Sequence, residues 1–192
     1  VDCDTRTRPR DAAATQESIL AAARDHFAKH SYQDVSLRAI AHGAGIDVAL
    51  VSRYFGSKEE LFSAALDSCT VGPDLFSEPR DTFGRRMADQ IIFEPKSGEK
   101  LKGTQIMLNS IGSAKAAEIV QSSAHNRFFG PFAAWLGGPD ARIRTRVMAG
   151  LMLGMAVSRE LVGDYGMSEA DAIGLRDRLA EIIQSVVGHI DA

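Results

Sequence analysis

Between residues 38 and 58 the chain carries donors whose natural acceptors are phosphates and base edges: Arg38, Ser52, Arg53, Tyr54 and Lys58. Guanidinium groups pair with guanine edges or phosphates, an ammonium group acts as a point charge, and hydroxyls serve either target. Small apolar residues lie among them: Val48, Ala49 and Leu50. An exposed face of small side chains edged by an Arg suits the DNA major groove, where bulk prevents approach and a methyl group can read thymine. The bland alternative is a structural corner between two helices with a solvated face.

Other constellations carry less chemistry. His26 and His30 stand four apart, a spacing that can hold a metal, but no third ligand lies near, so no metal site is expected. No nucleophile elbow, phosphate-binding Gly loop or H-E-x-x-H helix occurs in the sequence. Catalytic residues and cofactors are therefore not expected. A helical enzyme, with Ser, His and Asp gathered from distant helices, is the alternative. Cys3 and Cys69 follow no metal or redox spacing. Free thiols in a reducing cytoplasm are the simplest reading, and a redox switch is the sharper one.

The elements that must hold those donors are short, and their breaks are written in the sequence. Ser36 and Asp47 are N-cap residues ahead of helices expected near 37–43 and 48–55. Val35 and Ile40 flank the first cap, and Ile46 and Val51 the second, at hydrophobic-staple spacing. Gly45 can adopt the left-handed conformation of a tight turn, and Gly56 ends the second helix. Ser57 and Glu60 form a capping box for a longer helix reaching about residue 70. Two short helices joined by a Gly turn are the layout of a helix-turn-helix, with Ile46, Val51 and Phe55 facing inward.

Length and composition frame the rest. The chain has 192 residues, 45% apolar and 24% charged, with a net charge of −3. That allows one domain or two small ones, and any nucleic-acid site must arise from local charge rather than from a basic chain. Helical periodicity begins over 15–30 and returns near 80–93, 99–111, 113–136, 140–162 and 168–190. No alternating strand appears, so the class is all-α. Gly130-Pro131 should kink or split its helix. The longest apolar run, 147–157, is too short to span a bilayer and is flanked by Arg142, Arg144, Arg146 and Arg159, so no membrane contact is expected. The opening "VDCDTRTRPRD" is polar and lacks a secretory leader pattern, which favours the cytoplasm.

Residues 15–66, including "SYQDVSLRAIAHGAGI" and "RYFGSKEEL", resemble without gaps the DNA-binding domain of the tetracycline-repressor (TetR) family. The resemblance implies a bacterial homodimeric transcriptional regulator, usually a repressor released from a near-palindromic operator by a small molecule. It divides the chain into a flexible basic arm (1–14), a helix-turn-helix domain (15–66) and a ligand-binding and dimerisation domain (67–192). Carried over by position, Arg38 pairs with guanine, Val48, Ala49, Leu50 and Ser52 lie near bases, and Arg53, Tyr54 and Lys58 lie on the phosphate side. Ser52 stands where many members carry an aromatic residue, a departure from the family pattern. Arg6, Arg8 and Arg10 either enter a minor groove or form a disordered tail. A constitutive regulator, or one answering to a protein partner, is the alternative.

In the C-terminal part the resemblance points to a dimerisation pair over 140–162 and 168–190. Gly150, Gly154, Leu175, Leu179, Ile182 and Val186 are its interface residues. Tight packing of the two glycines inside one subunit is the competing reading. An adaptable, mainly apolar ligand pocket would draw on Phe62, Met107, Phe128, Phe129, Trp135, Met152 and Met155, all of which could equally be core. Gln105, Asn109, His125 and Asn126 could add polar contacts. The helix from Lys58 to Phe62 and Leu66 would then connect DNA and ligand.

Overall fold

The structure, a computed structural model, describes residues 8–69, 79–95, 98–163 and 166–188. These residues are helical almost throughout and contain no strand. The helices are α1 (Arg8–Lys29), α2 (Leu37–Ala44), α3 (Val48–Phe55), α4 (Lys58–Cys69), α5 (Phe83–Phe93), α6 (Gly98–Asn109), α7 (Ala114–Ala124), α8 (Gly130–Leu136), α9 (Ala141–Val162) and α10 (Glu169–Val187). A 3₁₀ turn (Arg80–Thr82) precedes α5, and a π-helical turn (His125–Phe129) precedes α8. The chain forms two compact units, 1–71 with 97–123 and 72–96 with 124–192.

In the first unit, α1 packs on α2, α4 and α6. Its buried stripe, Ile19, Ala23 and Phe27, follows the three- and four-residue spacing of one helical face. The helix begins at Arg8, ahead of the start expected near residue 15. Pro9 falls in the first turn, where a missing N–H loses no bond, and Ala12–Ala14 are strong helix formers. Arg6 and Cys3 lie outside the described residues. Phe27, Tyr32 and Phe62 centre the core, with Phe62 meeting Phe27 edge-on at 4.9 Å. Asn109, expected near a ligand, instead donates from Nδ2 to the Ala28 carbonyl at 2.8 Å and closes the last turn of α1. At Gly103, a Cβ would lie 2.9 Å from the Cys69 Cβ, so α4 and α6 pass closely there.

The second unit is built on α5 and α10, which pack along one another. Their closest approach is at Gly84, where a Cβ would collide with the Ala180 carbonyl. Arg176 bridges Asp89 at 2.7 Å and Asp177 at 2.6 Å, and Arg85 joins the same two carboxylates at 3.5 and 3.2 Å. Leu179, Ile183 and Val187 are buried in the core with Phe83, Met87, Phe132 and Met148. The expected interruption at Pro131 takes the form of the π-helical turn, in which the Gly130 N–H reaches the His125 carbonyl. The wider turn accommodates a residue that lacks an N–H and whose ring crowds the carbonyl four residues back.

Arg144 is the main polar anchor of this unit. It is buried on α9, and its guanidinium donates to Asp140 at 2.9 Å, to the Gly137 carbonyl at 2.6 Å and to the Val187 carbonyl at 3.1 Å. One side chain thus satisfies unpaired carbonyls at the end of α10 and fixes the turn into α9.

Candidate nucleic-acid interface

Each break that frames α2 and α3 has the geometry its residues call for. Ser36 caps α2, accepting from the Ala39 N–H at 3.1 Å. Gly45 follows with φ +68°, and paired bonds run from the Gly45 N–H to the His42 carbonyl and from the Ile46 N–H to the Ala41 carbonyl. This Schellman ending requires a left-handed residue, which glycine supplies without strain. Asp47 caps α3, accepting from the Ala49 N–H at 2.7 Å.

The next break joins α3 to α4. Ser57 and Glu60 satisfy each other's backbone: the Glu60 N–H donates to Ser57 Oγ at 3.1 Å, and the Ser57 N–H donates to Glu60 Oε2 at 2.7 Å. Those bonds hold the Glu60 carboxyl below the usual carboxylate range. Gly56 has φ +70°, and a Cβ there would collide with the Glu60 carboxylate. Gly56 is therefore needed both for its conformation and for the space the cap occupies.

The result is a short α3 held by a buried Val51, with Ile46 and Phe55 packed partly against the same core. Ala49, Ser52 and Arg53 are exposed, and their spacing places them on one helical face. Arg38 and His42 are exposed one turn apart on α2. Val48, expected near bases, is half-buried and packs toward the core. It occupies the first turn of α3, where side chains lean back over the preceding turn and so toward Ala44 and Ile46. Leu50 is half-buried, and Tyr54 is half-buried with its ring against the core.

Lys58 opens α4, and its Nζ lies 4.3 Å from the centroid of the Tyr32 ring. Burial lowers its pKa, while Glu59 and Asp34 act in the opposite direction. Burial, with Glu59 second, pushes the Tyr32 phenol up to about 12. Sequence reasoning missed Tyr32 as a neighbour of Lys58. The two are far apart in the chain, and only the packing of α4 against the end of α1 joins them.

The residues expected around a ligand divide between the two units. Phe62 is 1% exposed in the core of the first unit, where Met107 packs as well. Phe128 and Trp135 stack on the buried Phe132 at 5.2 and 5.5 Å and fill the core of the second unit. Phe129 lies under the Arg146 guanidinium at 4.4 Å, and Met152 packs on the same core. Of these seven, only Met155 lines a cavity of about 280 Å³ that has Ile91, Phe93, Arg159, Met167 and Leu175 among its walls. This cavity lies where the last turns of α5 and α9 meet the start of α10. Arg159 donates to the Ile91 carbonyl at 2.9 Å at its edge.

The interface residues divide in the same way. Gly150 and Gly154 are exposed, and a Cβ on either meets nothing within 4 Å, so they are not packed inside the chain. Ile182 is 44% exposed. Leu179, by contrast, is buried in the chain's own core, and Val186 packs against it, because this face of α10 is turned to α5. Leu175 is half-buried at the cavity. The outward apolar row on α9 runs instead through Ile143 and Val147, 68% and 52% exposed, into the two glycines.

Among the described residues no group of three or more His, Cys, Asp or Glu could hold a metal ion, and no helix is long and apolar enough to cross a membrane. His26 and His30 face each other with ring centroids 6.2 Å apart. Cys69 is a buried thiol.

A capped pair of short helices carrying an exposed face of small and basic residues, ahead of an all-helical C-terminal part, defines a helix-turn-helix regulator. Residues 19–65 match the family model for bacterial regulatory proteins of the tetR family, and residues 81–187 match the C-terminal domain of tetracyclin repressor-like proteins. The chain belongs to the TetR family of transcriptional regulators, which bind DNA and are typically repressors.

Solved structures agree in fold. NalD of Pseudomonas aeruginosa, the secondary repressor of the MexAB-OprM multidrug efflux pump, superposes with a TM-score of 0.68 at 20% identity, covering 89% of this chain and 97% of NalD. Salmonella enterica GusR gives 0.65 at 18% identity, covering 94% of this chain and all (100%) of GusR. A TetR-family regulator of Streptomyces coelicolor A3 gives 0.55 at 26% identity, covering 94% and 98%. No match was found among curated proteins.

Proposed function

We propose that the protein is a homodimeric repressor that reads a near-palindromic operator through α2 and α3 and is released by a small, mainly apolar ligand. The observation that carries the DNA reading is the exposed set of Arg38, Ala49, Ser52 and Arg53 on two helices fixed by their caps. Arg38 reaches a guanine edge. Ala49 and Ser52 lie against bases, and Arg53 and Lys58 against phosphates, with Tyr54 beside them. Val48 and Leu50 touch bases only through the parts their packing leaves free.

The exposed row Ile143, Val147, Gly150 and Gly154 supports a partner subunit against α9, and the exposed Ile182 supports one against α10. Two reading heads in one dimer imply two half-sites about one helical turn apart or somewhat more. The apolar side chains Ile91, Phe93, Met155 and Leu175 in the wall of the cavity support an apolar effector. Such a ligand acts only through unequal affinity for DNA-fitting and non-fitting states, and operator DNA must weaken it by the same factor.

The test uses duplexes selected from a mixed-sequence pool. Arg38→Ala should lose about 1–3 kcal/mol at one base pair of each half-site and relax the preference there. Wild-type behaviour of Arg38→Ala across all selected sequences would remove the assignment. A cavity ligand that bound equally well with and without operator would rule out release by this route and favour a constitutive or partner-controlled regulator.

A further inference from the structure

We propose that Tyr32 is a positioning residue for DNA binding, its ring being the platform that holds the Lys58 ammonium group at the start of α4. This rests on the reading of Lys58 as a phosphate contact. The 4.3 Å between Nζ and the ring centroid places the charge over the negative face of the π system. The ring has little freedom to move. Tyr32 is 7% exposed, stacks on Phe27 at 6.1 Å and meets Phe62 edge-on at 5.1 Å.

Lys58 needs such a support. It occupies the first position of α4, where the helix dipole is positive and opposes a cation, and its four-carbon stem has many rotamers. The ring face offsets the first effect and restricts the second. Of the acidic neighbours, Glu60 is engaged by the Ser57 cap, while Glu59 and Asp34 act on the ammonium itself. The high phenol pKa keeps Tyr32 neutral at ordinary pH, so the attraction is to a ring and not to a phenolate. Burial also lowers the lysine pKa, the mark of an ammonium already stripped of part of its water. An ammonium held this way loses less freedom and less hydration when a phosphate arrives.

The experiment compares wild type, Tyr32→Phe, Tyr32→Leu, Lys58→Met and the Tyr32→Leu/Lys58→Met pair on a mixed-sequence duplex over a range of salt. Tyr32→Phe keeps the ring and should bind like wild type. Tyr32→Leu should weaken binding about 3- to 10-fold on every sequence, with a salt slope shallower by up to about one. Once Lys58 is replaced by Met, Tyr32→Leu should have no further effect. An equal loss in both lysine backgrounds makes Tyr32 a core residue only and overturns the proposal. A loss in Tyr32→Phe as large as in Tyr32→Leu assigns the hydroxyl instead and overturns it too.

A second readout needs no DNA. The ε-methylene protons of Lys58 should resonate upfield in the free protein through the ring current of Tyr32. Ordinary shifts in the wild-type spectrum would overturn the placement, even if Tyr32→Leu did not fold. Absence of DNA binding by wild type would sink the parent reading, and the spectrum would then show separately whether the ring holds the lysine.

Discussion

Replacing Gly150 and Gly154 by Ala has an outcome whose sign separates two arrangements of α9. Both glycines are exposed interior residues of a 22-residue helix, with nothing within 4 Å of an added Cβ. In an isolated chain the change would restore helix propensity alone, about 0.8–1 kcal/mol apiece and about 2 kcal/mol for the pair. In a dimer joined through this face, the partner's backbone lies against the two glycines and the added methyl groups push it away. Overpacking costs about 1–3 kcal/mol per site, or about 2–6 kcal/mol per chain. Against the propensity gain, the net change is a loss of up to about 4 kcal/mol per chain. Sedimentation equilibrium measures association, and urea unfolding at two protein concentrations measures stability. A tenfold dilution should lower the apparent stability of a dimer by about 1.4 kcal/mol. The double Ala variant should associate more weakly than wild type, and the double Leu variant should be monomeric or aggregate. A double Ala variant about 2 kcal/mol more stable, with unchanged association, would refute the reasoning and take both glycines out of the interface.

Arg144→Met keeps the length of the side chain but removes the bonds to Asp140, Gly137 and Val187. Unfolding in urea should show a loss of about 2–4 kcal/mol, with Arg144→Lys between the two because an ammonium cannot span the same fork of acceptors. Glu60→Gln tests the capping box through pH. The Glu60 carboxyl is depressed in the folded protein, so its contribution is present above the ordinary carboxylate range and lost as pH falls through the folded value. Wild type should therefore be more stable than Glu60→Gln near neutrality, and melting curves of the two should converge in acid. A gap that stayed constant down the titration would contradict the cap's role.

What could be read in advance was mostly local. A cap, a tight turn and a capping box each depend on residues within a few positions, so Ser36, Gly45, Asp47, Gly56, Ser57 and Glu60 announced α2, α3 and the start of α4. The start of α1 lies ahead of the expected one because Pro9 in a first turn followed by Ala12–Ala14 favours helix. The interruption at Pro131 was legible from missing backbone chemistry, and it takes the form of a π-helical turn.

The sequence by itself determined the all-α class, the helix-turn-helix and its exposed basic and small residues, because backbone capping and helical periodicity act over a few residues. Tertiary structure decided which faces of those helices remain open. Leu179 and Ile182 belong to the same apolar stripe, yet α5 covers one and leaves the other exposed. Phe128 and Trp135 have the chemistry of a pocket lining, yet they stack on Phe132 at the core of the second unit. Tyr32 acquires its relation to Lys58 only when α4 packs beneath the end of α1. Side-chain type and helical phase specify what a residue can contact, and the packing of neighbouring helices selects the contact it makes.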